Sequence, residues 1–364
     1  MRETNNFKKL SLEEIVLFTL AFVFALTTLI FALFLNKQIS LKELFLTGLK
    51  VFQNKTVLWG AEFSFLLLVI IFYWFIKTTL KNQEINIKKS LQGLIRILEG
   101  MFLPLRFVAI LALFTTSSLT LLGLITNIKK GHLKNELILH WEKIIFKTYP
   151  FLWIHSQANP LKTLLDTFSP LIIFSFFSLA VVMIFTGLLF YFLKRRIFSA
   201  YIIAIALTIL LSFPFWYLVP VNSPNNFYLS KNIPPSYKAP QKVIQIEKDF
   251  RNQQKELPPI STFPSMHVAW AIIVLYYLKK FKKETAILTI FWLILLSIGT
   301  IYLAQHYFLD ILLSFPIAAL SITLANFIVK KYERLLFSDP ASYLDLYIQK
   351  ETQEIYKLLK DFFT

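Results

Sequence analysis

The sequence predicts an all-α protein, a polytopic transmembrane helical bundle of about eight spans, and three observations lead there. Hydrophobic residues make up 56% of the 364 positions, and the mean hydropathy is +0.60. A soluble domain is about 45–50% apolar, so the surplus needs lipid, not a larger core, to cover it. Apolar blocks near the roughly 20 residues that carry a helix across a bilayer recur along the chain. The basic residues sit between these blocks and form no single patch.

The first block, Ile15–Leu35, is longer than a signal-peptide core and lacks an Ala-x-Ala site, so it reads as a retained span. Val57–Ile76, Met101–Thr126, Pro170–Leu193 and Ser199–Val219 follow. Met266–Tyr277 is short, and Ala286–Ala304 and Leu309–Val329 complete the set. Eight crossings place both termini on one side. Positive residues stay in the cytoplasm, and short loops obey this best. Lys194-Arg195-Arg196, the Lys279–Lys283 cluster, Lys330, Lys331 and Arg334, and Lys77 to Arg96 all fall on one side, together with Arg2, Lys8 and Lys9. That side is expected to be the cytoplasm, in a bacterial inner membrane.

Three units follow from this reading: residues 1–100 with two spans and a linker, a six-span core over 101–329, and a polar tail over 330–364. Within the core, Leu133 to Ile145 places Leu133, Leu137, Ile138, Trp141, Ile144 and Ile145 on one helical face and charged residues on the other. This pattern fits an interfacial helix or a loop helix packed on the bundle. The stretch from Pro214 to Pro264 is proline-rich and cannot form one continuous helix, which makes 220–264 a long outer loop. In the tail, Leu344, Tyr347, Ile348, Ile355, Leu358, Leu359 and Phe362 mark amphipathic helices.

The formal net charge is +17 and there is no cysteine. Absent cysteine excludes disulfides, thiolate nucleophiles and Cys-ligated zinc. The charge fits topology and attraction to anionic membrane lipids, and its scatter argues against nucleic acid as a partner.

Of the five histidines, two fall at the same ends of expected spans. His267 opens one span in Phe263-Pro264-Ser265-Met266-His267, and His306 lies between the last two in Tyr302-Leu303-Ala304-Gln305-His306-Tyr307-Phe308-Leu309-Asp310. The two-span hairpin between them returns both to one membrane face. His306 and Asp310 are at i, i+4, which stacks their side chains on one helical face. Asp310 then fixes the tautomer of the ring and leaves the other nitrogen free to attack phosphorus. His267 supplies a separate imidazole for acid–base work. Ser265, just before a helix, is placed to cap it beside N–H groups that favour a phosphate.

At these residues the chain resembles the type-2 phosphatidic acid phosphatase superfamily. Pro264-Ser265-Met266-His267 matches its Pro-Ser-x-His motif, and His306 and Asp310 match the end of its Ser-Arg-x5-His-x3-Asp motif. The Ser-Arg positions are Gly299 and Thr300 here, and no Arg-Pro dipeptide of the first motif occurs. The Thr300 to Asp310 run and the Phe-Pro-Ser-x-His run look closest to the inositol phosphorylceramide synthase branch. The resemblance implies a six-helix, metal-independent core with no cofactor. It makes His306 the nucleophile that becomes phosphohistidine, Asp310 its orienting partner, His267 the acid–base and Ser265 a phosphate ligand. It also implies a lipid phosphate substrate, with a hydroxyl acceptor in a transferase or water in a phosphatase.

A phosphate still needs cations, because negative charge spreads over its oxygens in the transition state. Lys248 and Arg251 in the outer loop are the first candidates, followed by Lys242, Lys255 and Arg106, the last of which pairs alternatively with Glu99 or Glu62. A transporter or scaffold that makes no use of His306 is the reading from a different class.

Overall fold

In a computed structural model the chain is described over residues 10–34, 87–129, 131–156, 158–224 and 262–336, with the backbone alone for 87–105, 192 and 333–336. Eleven helices account for the described residues: α1 (Leu12–Phe34), α2 (Ile87–Lys129), α3 (Asn135–Phe146), α4 (Pro150–Trp153), α5 (Lys162–Thr167), α6 (Ser169–Phe177), α7 (Leu179–Leu193), α8 (Arg195–Leu218), α9 (Met266–Phe281), α10 (Thr285–Tyr302) and α11 (Phe308–Leu336). The chain is an all-helical, polytopic bundle, as expected.

Among the described residues, five stretches are long and apolar enough to cross a bilayer: Leu12–Ala32, Arg106–Lys129, Arg195–Leu218, Thr285–Tyr302 and Phe308–Tyr332. The expected span Pro170–Leu193 is a bent pair, α6 and α7, meeting at 51°, and counts as a sixth. The short expected span at Met266 is the 16-residue α9. Val57–Ile76, most of the Pro-rich loop and the tail beyond 336 lie outside the described residues.

Long-range pairs fix the direction of each helix. Glu14 of α1 takes two hydrogen bonds from the Arg106 guanidinium, at 2.9 and 2.7 Å. Glu13 pairs with Arg195 at 2.8 Å and accepts from Ser199 Oγ at 2.7 Å. At the far ends of the same helices, Phe31 meets Tyr217 edge-on and Lys129 lies over the Tyr217 ring. Thus α1, the spanning part of α2, and α8 run in one direction. Helices α9 and α11 run the other way: Ser212 of α8 reaches Met266 at the start of α9, and Lys280 near its end bonds Asn326 of α11. Helix α10 returns between them.

The core is a set of side chains in helix-facing stripes, not a globular centre. Ile203, Ala204, Val274, Tyr277, Ala318 and Ala325 interlock α8, α9 and α11. Ile172, Phe176, Leu296 and Tyr302 join α6 to α10. Large apolar residues on the outward faces stay exposed, Ile287 at 81% and Leu288 at 74% among them, as a lipid-facing surface requires. Two indole N–H groups are satisfied across helices, Trp270 on Thr208 and Trp292 on Ser178, both at 2.9 Å.

Helix α8 runs through Pro214 to Leu218, in line with the expected span Ser199–Val219. Within a bundle, neighbouring groups take up the hydrogen bond a proline removes. In α3, Leu137, Trp141, Ile144 and Ile145 are exposed, and so are Glu136, His140 and Lys143. Ile138, Leu139 and Glu142 form a buried edge between these two faces, which fits the reading of a loop helix packed on the bundle.

Candidate active site

Helix α9 begins at a proper cap. Ser265 is extended (φ −72°, ψ 108°), and its hydroxyl accepts the Val268 N–H at 3.4 Å. This cap sets the first turn of α9 and with it the direction of His267. The His267 ring stacks on Phe176 of α6, with centroids 4.7 Å apart and planes at 20°.

His306 is delivered by the turn between α10 and α11. Helix α10 ends in a Schellman motif: the Ala304 N–H bonds the Ile301 carbonyl and the Gln305 N–H bonds the Thr300 carbonyl, both at 2.9 Å. Ala304 takes the left-handed conformation (φ 47°) where glycine is usual, at a cost of about 1 kcal/mol. The Thr300 carbonyl also accepts the His306 N–H at 3.2 Å. The turn therefore points His306 into the bundle, and the residue is 5% exposed.

The two imidazoles meet. His267 Nδ1 lies 3.3 Å from His306 Nε2, across 39 positions of sequence. The other nitrogen of His306, Nδ1, faces Asp310 Oδ2 at 3.2 Å and the Thr262 carbonyl at 3.0 Å. The Thr262 carbonyl can only accept, so Nδ1 donates and Nε2 holds the lone pair. The proton shared between the rings then belongs to His267. Burial lowers the His306 pKa to about 4, partly offset by the hydrogen bond to Thr262, so the ring is neutral at physiological pH.

Asp310 is fully buried and receives the Tyr307 N–H at 2.8 Å on the oxygen that faces His306. The Ser265 N–H bonds the Asp310 carbonyl at 3.1 Å, and the Ser314 hydroxyl lies 2.7 Å from both the Ser265 and Asp310 carbonyls. The start of α9 and the start of α11 are thus fastened together, which places the two motifs in one site.

The structure brings His267, Ser265, His306 and Asp310 together. Lys248 and Arg251, like Lys242 and Lys255, lie outside the described residues. Arg106 is engaged by Glu14 at 2.7 Å, a pairing not expected from the sequence, and Glu62 and the Glu99 side chain lie outside the described residues. Arg106 sits at the Arg195 end of the bundle, while the site lies level with Ser212, about 25 Å further along α8 at 1.5 Å per residue. Among the described residues no group of three or more His, Asp or Glu is placed to hold a metal ion.

Gly299, at the position of the superfamily's motif serine, has a packing role. A Cβ there would sit 3.0 Å from the Ile172 carbonyl oxygen and 3.2 Å from Phe176 Cβ. Its absence lets α6 approach α10 and lay Phe176 against His267.

Two residues missed in the sequence complete the surroundings. His155 is buried, and its Nε2 donates to the Tyr302 carbonyl at 2.9 Å. Burial holds its pKa below the ordinary histidine value. Glu142 is buried and accepts the N–H groups of Phe308 and Leu309. Burial pushes its pKa up to about 7 against the lowering effect of those hydrogen bonds, with nearby Asp310 raising it further. A residue assigned to a charged outer face gives no signal of either contact.

This arrangement, a neutral imidazole beside a carboxyl group with a second imidazole at its free nitrogen, has the geometry that nucleophilic attack with general acid–base assistance requires. Residues 151–324, just under half of the chain, match the PAP2 superfamily. The match supports the superfamily expected from the two motifs, and with it a phosphatase- or phosphotransferase-type enzyme of lipid phosphates in an integral membrane protein. Among curated proteins and among solved structures, none matches the chain.

Proposed function

We propose that the chain is a membrane phosphotransferase that acts on lipid phosphate esters through a phosphohistidine at His306, in the manner of the inositol phosphorylceramide synthases. The observation that carries this reading is the division of labour on the His306 ring: Nδ1 is committed to Asp310 and Thr262, and Nε2 faces His267 Nδ1 at 3.3 Å. In the first half-reaction the entering phosphate dianion holds His267 as an imidazolium. Nε2 of His306 bonds to phosphorus as the ester P–O bond breaks, and a His267 proton passes to the leaving oxygen and leaves that ring neutral. In the second, an acceptor O–H gives its proton to His267, its oxygen bonds phosphorus, and the N–P bond breaks. The contact between the rings opens when the phosphoryl group enters. Ser265 at the start of α9 and the cations Lys248 and Arg251 hold the phosphate oxygens.

The site lies at the end of the bundle opposite Arg195, Lys280 and Lys330. Positive residues favour the cytoplasm, so the site faces the outer leaflet and both termini are inside. Water as the acceptor would make the same site a lipid phosphate phosphatase. Purified protein given labelled lipid phosphates, with and without polyol or lipid alcohols, separates the two. Label on the alcohol supports the transferase, inorganic phosphate alone supports the phosphatase, and neither product with any substrate removes the reading in favour of a scaffold or transporter.

A further inference from the structure

The turn that carries His306 is held from outside by a segment of the chain that contributes nothing to the reacting atoms. A helix leaves its last carbonyls and first N–H groups without partners inside the helix. At the end of α10 the Thr300 and Ile301 carbonyls are taken by the Schellman bonds, and the Leu303 carbonyl accepts from the Gln305 side-chain amide at 3.1 Å. The remaining one, Tyr302, accepts from His155. At the start of α11 the Tyr307 N–H goes to Asp310. The next two, Phe308 and Leu309, go to Glu142 of α3.

The polarities also suit the ends they meet. A carboxylate is favoured at a helix N-terminus and a donor at a C-terminus. Both contacts are long-range, 147 positions for His155 to Tyr302 and 166 for Glu142 to Phe308. The His155 ring also packs on Tyr302, with centroids 4.6 Å apart, and the Tyr302 hydroxyl donates to Asp166 of α5 at 3.1 Å. The turn between them contains Ala304 in the left-handed region, a conformation that persists only when its surroundings hold it. Glu142 lies outside the stretch that matches the superfamily.

We propose that Glu142 and His155 are positioning residues that clamp the α10–α11 turn from its two sides and so keep His306 Nε2 aimed at His267. The catalytic consequence rests on the phosphotransfer reading; the clamp itself does not. Glu142→Leu keeps the bulk and removes the acceptor, Glu142→Gln keeps an acceptor without the charge, and His155→Phe keeps the ring packing and removes the donor.

Hydrogen exchange on peptides covering 303–312, in detergent, reads the clamp without turnover. Glu142→Leu is expected to speed exchange at Phe308 and Leu309 about 10- to 100-fold, the loss of a hydrogen bond to a charged group, with peptides of α8 unchanged. Glu142→Gln restores most of the protection if the Leu variant folds poorly, and His155→Phe loosens the same peptide. Unchanged exchange in Glu142→Leu and His155→Phe overturns the clamp. With the wild-type substrate, Glu142→Leu is expected to lower kcat about 10-fold with KM within about two-fold, and Glu142→Gln to recover most of it. A raised KM with kcat intact overturns the positioning role. A wild-type protein with no turnover removes the phosphotransfer reading, and the exchange result still decides the clamp.

Discussion

Asp310 uses one carboxylate oxygen for two partners, the His306 ring nitrogen at 3.2 Å and the Tyr307 N–H at 2.8 Å. The backbone bond fixes the carboxylate against the same turn that presents the ring, so the pair moves as a unit. In Asp310→Asn that one position holds either the amide oxygen, which keeps both contacts without the charge, or the NH2 group, which loses the Tyr307 bond and favours the wrong His306 tautomer. Turnover is expected to fall about 10²- to 10⁴-fold with little change in substrate binding, checked by kcat and KM on the purified variant. A variant with full kcat would show that the carboxylate does not orient the ring.

His267 stacks on Phe176 and meets His306 through a single nitrogen. If it protonates the leaving oxygen, His267→Ala loses most with alcohols that leave poorly and least with aryl phosphates whose leaving groups need no proton. The comparison of kcat/KM between an alkyl and an aryl phosphate checks this, and an equal loss on both would assign His267 another role.

Gly299→Ala places a methyl group against the Ile172 carbonyl and Phe176 Cβ, and neither can swing aside. Helices α6 and α10 must part by a few tenths of an ångström. The expected loss is about 1–3 kcal/mol, read as a lower Tm in detergent, together with a weakened His267 site. An unchanged Tm would mean that the two helices have room to spare.

Arg106→Met leaves the Glu14 carboxylate, 3% exposed, without its cation. Breaking a buried pair from one side costs about 3–5 kcal/mol, and adding Glu14→Gln should recover part of it. Thermal unfolding checks the pair. KM for the lipid phosphate should not change, because this pair lies at the other end of the bundle from His267 and His306. A raised KM would return Arg106 to the list of phosphate ligands.

The motifs and the hairpin were legible in the sequence for a physical reason. Lipid forces every span to be apolar, so the blocks between His267 and His306 could be counted, and two crossings must bring the chain back to the same face. The i, i+4 spacing of His306 and Asp310 needed only helix geometry. Glu142 was read with the charged face of α3, and nothing local distinguishes a buried acceptor of backbone N–H groups from a solvated carboxylate. His155 has no motif around it, and its target is a carbonyl 147 positions away. The Glu14 partner of Arg106 was not legible, because it comes from 92 positions away where α1 packs along α2. The bend between α6 and α7 was hidden because a hydropathy block records length and not direction.

The phosphoryl group should pass through a covalent bond to His306 Nε2, and trapping it is the most direct measurement. Purified protein mixed briefly with a lipid phosphate labelled at phosphorus, then quenched in denaturant, is expected to carry label that survives base and is lost in acid, on the peptide containing His306, and His306→Ala is expected to carry none while still inserting and purifying normally. Label retained by His306→Ala, or full turnover in that variant, would contradict the account.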